Sequence, residues 1–128
     1  MREAWFYARL IFVLAWIAAA LVMAIAPTYA AEQCGEASWY GWEAGDWTAN
    51  GERWNPNGLT AAHPSWPFNA RVRVTRMDTG ATVIVRLNDR GPARWTGRVI
   101  DLSQAAAAAI GMIRVGVAPV CITIMERP

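Results

Sequence analysis

Lysine is absent from this 128-residue chain: all 12 basic residues are arginine. Histidine occurs once, at His63, and cysteine twice, at Cys34 and Cys121. These three side chains fall short of the roughly four ligands a zinc site wants. No metal site or phosphate-binding loop is visible, and no cofactor is implied. The net charge of +2 is too small to make nucleic acid or an anionic membrane the main partner. The chain also lacks an internal repeat, an internal linker, and any low-complexity tract beyond one alanine-rich stretch.

The length allows one domain at most, and the first segment is not counted in it. Arg2 and Arg9 flank a short amino-terminal region, residues 10–26 carry no charge, and Thr28-Tyr29-Ala30 supplies small residues. A positive start, an apolar middle and a small-residue exit predict a secretory signal peptide removed after Ala30. The alternative is an uncleaved helical anchor in the inner membrane, for which the apolar run is slightly short. A lipid anchor is not expected, because Ala31-Glu32-Gln33 precedes Cys34 in place of a Leu-Ala-Gly type of sequence. Cleavage leaves residues 31–128, enough for a small compact core. Contact with a membrane is expected only through the leader, and the mature chain is expected to be a monomer.

In an exported protein, a cysteine pair near the two ends of the mature chain points to a disulfide. Two unpaired buried thiols are the alternative. Closing a loop of roughly 90 residues stabilises by about 4 kcal/mol in the chain-entropy model.

The clearest secondary structure is a β-hairpin. Residues 71–76 alternate with period two, Asp78-Thr79-Gly80 turns, and residues 82–87 alternate again, with valines on one face. A strand is expected over 37–41, a loop rich in tryptophan, acid and glycine over 42–47, and turns at Asn50-Gly51 and Asn55-Pro56-Asn57-Gly58. His63 precedes Pro64 and is expected in extended backbone. A strand over 98–102 leads to Ser103, which caps a helix over 104–110 that Gly111 ends. A last strand over 115–125 is expected to be broken by Gly116 and Pro119. The mature chain thus reads as mainly β with one short helix, and closure into a barrel would remove exposed strand edges. Asp89, where the hairpin's second strand meets the Gly91-Pro92 turn, is the first candidate for chemistry: a rigid element holds it at the solvent boundary.

Six segments together resemble the rare lipoprotein A (RlpA)-like family, whose fold is a six-stranded double-psi β-barrel. They are Ala37-Ser38-Trp39-Tyr40-Gly41, Thr48-Ala49-Asn50-Gly51-Glu52, Leu59-Thr60-Ala61-Ala62-His63, Arg71-Val72-Arg73-Val74-Thr75, Asn88-Asp89-Arg90-Gly91-Pro92 and Ile100-Asp101-Leu102-Ser103. They stand in the family's order and spacing from about Gly35 to Met125. The resemblance implies a cell-envelope protein acting on peptidoglycan glycan strands, in several members as a lytic transglycosylase that leaves a 1,6-anhydro-muramyl end. Carried over residue by residue, it implies Glu52, His63 and Asp89 as catalytic residues. Two departures stand out. Asn55 occupies a position where many members place an aspartate, and the 42–47 loop lacks the usual Phe-His-Gly-Arg and is one residue shorter. Neither a peptidoglycan-binding repeat domain after the barrel nor septal targeting by that route is expected.

A hydrolase generally needs two carboxylates, whereas a transglycosylase manages with one, since the substrate's own 6-hydroxyl attacks. Asp89 is read as the acid/base, Glu52 as stabilising oxocarbenium-like charge or sharing the proton work, His63 as hydrogen-bonding a carboxylate or sugar, and Asn55 as positioning substrate. The roles of Glu52 and Asp89 are interchangeable at this level. Trp42, Trp47 and Trp95 lie among polar loop residues and are candidates to face sugar. Arg90 and Arg94 are candidates to hold a muramic-acid carboxylate, with pairing to a nearby acid as the alternative. The rival reading is a non-catalytic, expansin-like glycan-binding or wall-loosening module.

Overall fold

The computed structural model describes residues 2–24, 31–41 and 45–128. Helix α1 spans Arg2–Ala24, and its residues 3–16 are all exposed. Among the described residues, no helix is long and apolar enough to cross a membrane.

Six strands close into a barrel: β1 (Glu32–Tyr40), β2 (Thr60–Ala62), β3 (Arg71–Arg76), β4 (Thr82–Asp89), β5 (Arg98–Ser103) and β6 (Val117–Glu126), in the order β1-β5-β2-β4-β3-β6. The expected hairpin is present, with Val72 opposite Val85 and Val74 opposite Val83 on its inner face. These valines join Leu87, Ile100, Leu102 and Ile122 in a common core, where each fully buried large side chain contributes roughly 1.5–3 kcal/mol. Helix α2 (Gln104–Ala109) buries Ala106 and Ala107 against the barrel. Its cap is the expected one: the Ser103 hydroxyl accepts from the Ala106 amide and donates to the Gly58 carbonyl.

Two strand boundaries differ from expectation. β1 starts at Glu32, five residues before Ala37, because its first half pairs with β6 from Glu32↔Thr123 through Ser38↔Val117. β6 begins just after Gly116 and runs through Pro119 without a break. Pro119 sits where β3 ends: its carbonyl accepts from the amide of Met77, just beyond the last β3 pairing, Arg76↔Val120. The donor that proline lacks would face the end of that ladder, so little pairing is lost.

Cys34 and Cys121 lie directly opposite each other on β1 and β6, with a Cα–Cα distance of 4.1 Å, and form the expected disulfide. The alternative of unpaired thiols is thereby excluded.

Candidate functional site

The site is built where the carboxyl ends of β2 and β4 meet the middle of β5. Leu87 pairs with Ala61 and points into the core, so strict alternation would turn Asp89 inward as well. A bulge between Ala61 and Ala62 inserts Asn88 as an extra residue and brings Asp89 opposite Ala62. The bulge re-aims the aspartate, a common use of this device beside active sites. Pairing of Ala62 with Asp101, and of Asp101 with Ser38, then sets Ser38, Asp101, Ala62 and Asp89 in one row across β1, β5, β2 and β4. Asp89 and Asp101 are two strand steps apart, roughly 10 Å between backbones.

Asp89 is half-buried. Its Oδ1 accepts from the amides of Ala49 and Arg90, both at 2.9 Å, while no described residue hydrogen-bonds to Oδ2. One oxygen fixes the side chain, and among the described residues the other is not so held.

Glu52 reaches the same neighbourhood through its loop. The Asn50 amide donates to the Asn88 carbonyl, and the Asn88 side-chain amide donates to Glu52 Oε2. Arg86 grips both Glu52 oxygens, at 2.5 and 2.8 Å. That bidentate contact, helped by Asn50 and Asn88 against a smaller burial effect, lowers the Glu52 pKa to about 2. Glu52 is therefore an anion at neutral pH.

The His63 ring is engaged at both nitrogens. Nδ1 accepts from the amides of Ser65 at 3.0 Å and Trp66 at 2.9 Å, which leaves the proton on Nε2, donated to Gln33 Oε1 at 2.9 Å. The ring also stacks on Trp66, 4.4 Å between centroids. Burial, then the charges of Arg90 and Arg94, push its pKa down to about 4. It is the His63 main chain that reaches the aspartate, its amide donating to the Asp89 carbonyl at 3.2 Å.

Acidification is therefore expected to destabilise the domain in two windows. His63 stays neutral in the fold down to about 4, while the unfolded chain takes up its proton near the ordinary 6.5. Its contribution is complete above that pH and is lost as pH falls between these values, by at most about 3 kcal/mol. Glu52 acts lower: its contribution is present above its ordinary 4.5 and lost as pH falls toward about 2. Both side chains of its ion pair are 36% exposed, so solvent screening holds this second effect below about 1 kcal/mol. Urea unfolding as a function of pH checks the first window. His63→Asn, whose Oδ1 can replace Nδ1 as acceptor, should flatten it, and an unchanged slope refutes the assignment to His63.

The remaining sequence candidates divide. Arg90 donates to the carbonyls of His63 and Trp66 and lies over the Phe68 ring at 3.8 Å, so it clamps the 63–68 loop. Asn55 is exposed in a turn, where its Oδ1 accepts from the Asn57 amide at 3.0 Å. Trp47 and Trp95 are 62% and 89% exposed, with the Arg53 guanidinium over Trp47 at 5.5 Å. Trp42 lies outside the described residues. The side chain of Arg94, on the 3₁₀ turn Arg94–Thr96, makes no hydrogen bond or ion pair with the described residues. With Gln33, His63, Ser65, Trp66 and Arg98 it lines a cavity of about 460 Å³. Asp89 and Glu52 are not in that cavity's wall.

Sequence reasoning passed over Tyr40, Ser38, Arg98 and Asp101 as site residues. Asp101 accepts from the Ser38 hydroxyl and from Arg98, which is 3.3 Å away. Arg98 also donates to Ser38. Three of the four lay inside matched segments, but only the parallel pairing of β1 with β5 brings them together.

A sequence model described as lytic transglycolase matches residues 32–122, the whole barrel apart from its last strand residues. The chain belongs to this family. It is an RlpA-like double-psi β-barrel. The "Probable endolytic peptidoglycan transglycosylase RlpA" of Nostoc sp. is 56% identical over 96 residues, covering 73% of this chain and 26% of the relative. The "Endolytic peptidoglycan transglycosylase RlpA" of Pseudomonas aeruginosa is 53% identical over 87 residues, covering 67% and 25%. The chain thus spans about a quarter of the length of these relatives. Among solved structures, a Streptomyces papain inhibitor superposes with a TM-score of 0.62 at 22% identity, over 75% of this chain and 96% of its own. An expansin of Clavibacter michiganensis superposes at 0.60 with 20% identity, over 77% and 52%. These two likenesses concern the fold alone.

Proposed function

We propose that the barrel is an endolytic peptidoglycan lytic transglycosylase. It would cleave the N-acetylmuramic acid–N-acetylglucosamine bond and leave a 1,6-anhydro-muramyl end. The observation that carries this reading is Asp89 in a chain of this family: a bulge turns it outward, two amides fix Oδ1, and Oδ2 has no partner among the described residues. Protonated Asp89 gives its proton to the glycosidic oxygen as the bond to the muramyl anomeric carbon breaks. The muramyl 6-hydroxyl closes on that carbon and returns a proton to Asp89, so the acid is regenerated and no water is consumed.

The state of Glu52 supports giving the proton work to Asp89. A carboxylate with a pKa of about 2, gripped by Arg86, is a poor proton donor at neutral pH but can stabilise developing positive charge. His63, both ring nitrogens engaged, would position the Asp89 strand end and form a wall of the cleft. Trp47 and Trp95 are exposed enough to stack on sugar, and Arg94 at the cavity is suited to a muramyl carboxylate. Arg90 and Asn55 would serve by holding loops.

The rival reading, a glycan-binding module without catalysis, draws on the same ion pair, since Glu52 is already committed within the fold. Mass spectrometry of products from peptide-free glycan strands separates the readings. Anhydro-muramyl ends support the transglycosylase, reducing ends would mean a hydrolase, and binding without cleavage would mean the module.

The disulfide fits an exported protein. We further propose that residues 1–30 are a leader removed after Ala30, releasing a monomeric domain 31–128 to the periplasm or outer cell envelope. The exposed α1 residues 3–16 support a segment that is not part of the domain. Mass analysis of the exported protein is expected to find Ala31 at its amino terminus, and retention of Met1 there would refute cleavage.

A further inference from the structure

Tyr40 ends β1 with its ring stacked on buried Trp54, 4.6 Å between centroids and 22° between planes. The stack fixes the direction of the hydroxyl. That hydroxyl is buried and makes no hydrogen bond with the described residues. A buried hydroxyl without a partner is uncommon in folded proteins and calls for an explanation. Burial, then the charges of Asp89 and Asp101, hold it protonated well above the ordinary tyrosine range, and Asp89 alone is also near enough for a side-chain interaction. Tyr40 is therefore a donor in search of an acceptor.

Two carboxylates compete for it, and they differ. Asp101 is already served by the Ser38 hydroxyl and Arg98. Asp89 takes both of its amides on Oδ1 and has no partner on Oδ2 among the described residues. We propose that Tyr40 is a positioning residue whose hydroxyl donates to Asp89 Oδ2 and holds that oxygen where it exchanges a proton with the glycosidic oxygen. This rests on the reading of Asp89 as the acid/base. The hydrogen bond is one more donor to the carboxylate left when Asp89 gives up its proton, and it restricts rotation of the group while the 6-hydroxyl closes. Asp101, neutralised by Arg98, keeps its neighbours and does not carry the proton.

The test uses Tyr40→Phe, which preserves the ring, its burial and the Trp54 stack while removing only the hydroxyl. On peptide-free glycan strands, kcat for anhydro-muramyl product is expected to fall about 10- to 100-fold, the value of a hydrogen bond to a charged group, with KM within about twofold. An unchanged kcat overturns the proposal. A second arm needs no activity. In the full chain labelled with ¹³C at tyrosine Cζ, Tyr40→Phe identifies the Tyr40 resonance among the three tyrosines. That resonance should move with pH as its partner carboxylate gains or loses a proton. The inflection should survive Asp101→Asn and vanish in Asp89→Asn. A resonance that stays still, or one that follows Asp101 instead, overturns the proposal. If the wild-type chain gives no anhydro product, the transglycosylase reading fails, while the resonance still decides whether Tyr40 is paired with Asp89.

Discussion

Asp89→Asn is expected to abolish anhydro-muramyl products, lowering the rate by about 10²- to 10⁴-fold, the usual worth of a positioned acid/base. The substitution keeps the shape of the side chain. The asparagine Oδ1 can still accept from the Ala49 and Arg90 amides, and the Asn88 bulge that aims residue 89 outward is a main-chain feature that does not depend on the carboxylate. Thermal unfolding should therefore be nearly unchanged, which separates lost chemistry from lost fold. What the variant lacks is an oxygen able to give and regain a proton. Glu52→Gln offers a contrast. It leaves Arg86 without its counter-charge, but it does not remove the proton donor. If product formation survived in Asp89→Asn and disappeared in Glu52→Gln, the two roles would have to be exchanged.

Much of this was legible in the sequence because it depended on local patterns. The period-two runs fixed the β3–β4 hairpin, Ser103 marked the helix start, and the Asn-Asp-Arg-Gly-Pro turn marked Asp89. What escaped depends on pairings between distant segments. The first half of β1 carries no strong alternation and becomes a strand only by lying against β6. Asp101 read as an ordinary strand residue until the parallel pairing of β1 and β5 set it beside Ser38, with Arg98 three residues away completing the network.

His63 shows a second limit. Its candidacy could be read from the sequence, but its engagement by the Ser65 and Trp66 amides depends on how the chain turns after Pro64. Arg90 is similar, since neither the Phe68 ring beneath it nor the carbonyls it clamps could be assigned from spacing alone. The bulge at Asn88 falls in the best-read segment, yet simple alternation from Leu87 would have pointed Asp89 into the core. Candidate residues were chosen by type and turn context, whereas their orientation came from register.

Removing the disulfide, through paired Cys34→Ser and Cys121→Ser substitutions, is expected to destabilise the barrel by about 4 kcal/mol. The bridge joins residues 87 apart in sequence, so it ties together nearly the whole domain, and the loss of unfolded-state entropy it causes grows with the logarithm of that loop. Small domains have about 5–15 kcal/mol in total, so this is a large share. The native geometry should nonetheless persist at low temperature. The two cysteines face each other inside a ladder that β1 and β6 form from Glu32 to Ser38, and Ile122 and Val120 remain buried on either side of position 121. The expected result is thus a cooperative unfolding transition at clearly lower denaturant or temperature, with the folded-state spectrum preserved. Denaturant melts of the wild type and the double variant measure it directly. A midpoint within error of the wild type would mean that the strand pairing alone constrains the two chain ends and that the bridge adds nothing to equilibrium stability. The same comparison reaches the site, because Gln33, the acceptor for His63, neighbours Cys34 on β1. Fraying of that strand end would free the His63 ring before it disturbed Asp89, whose Oδ1 is held by the Ala49 and Arg90 amides, neither of them on β1.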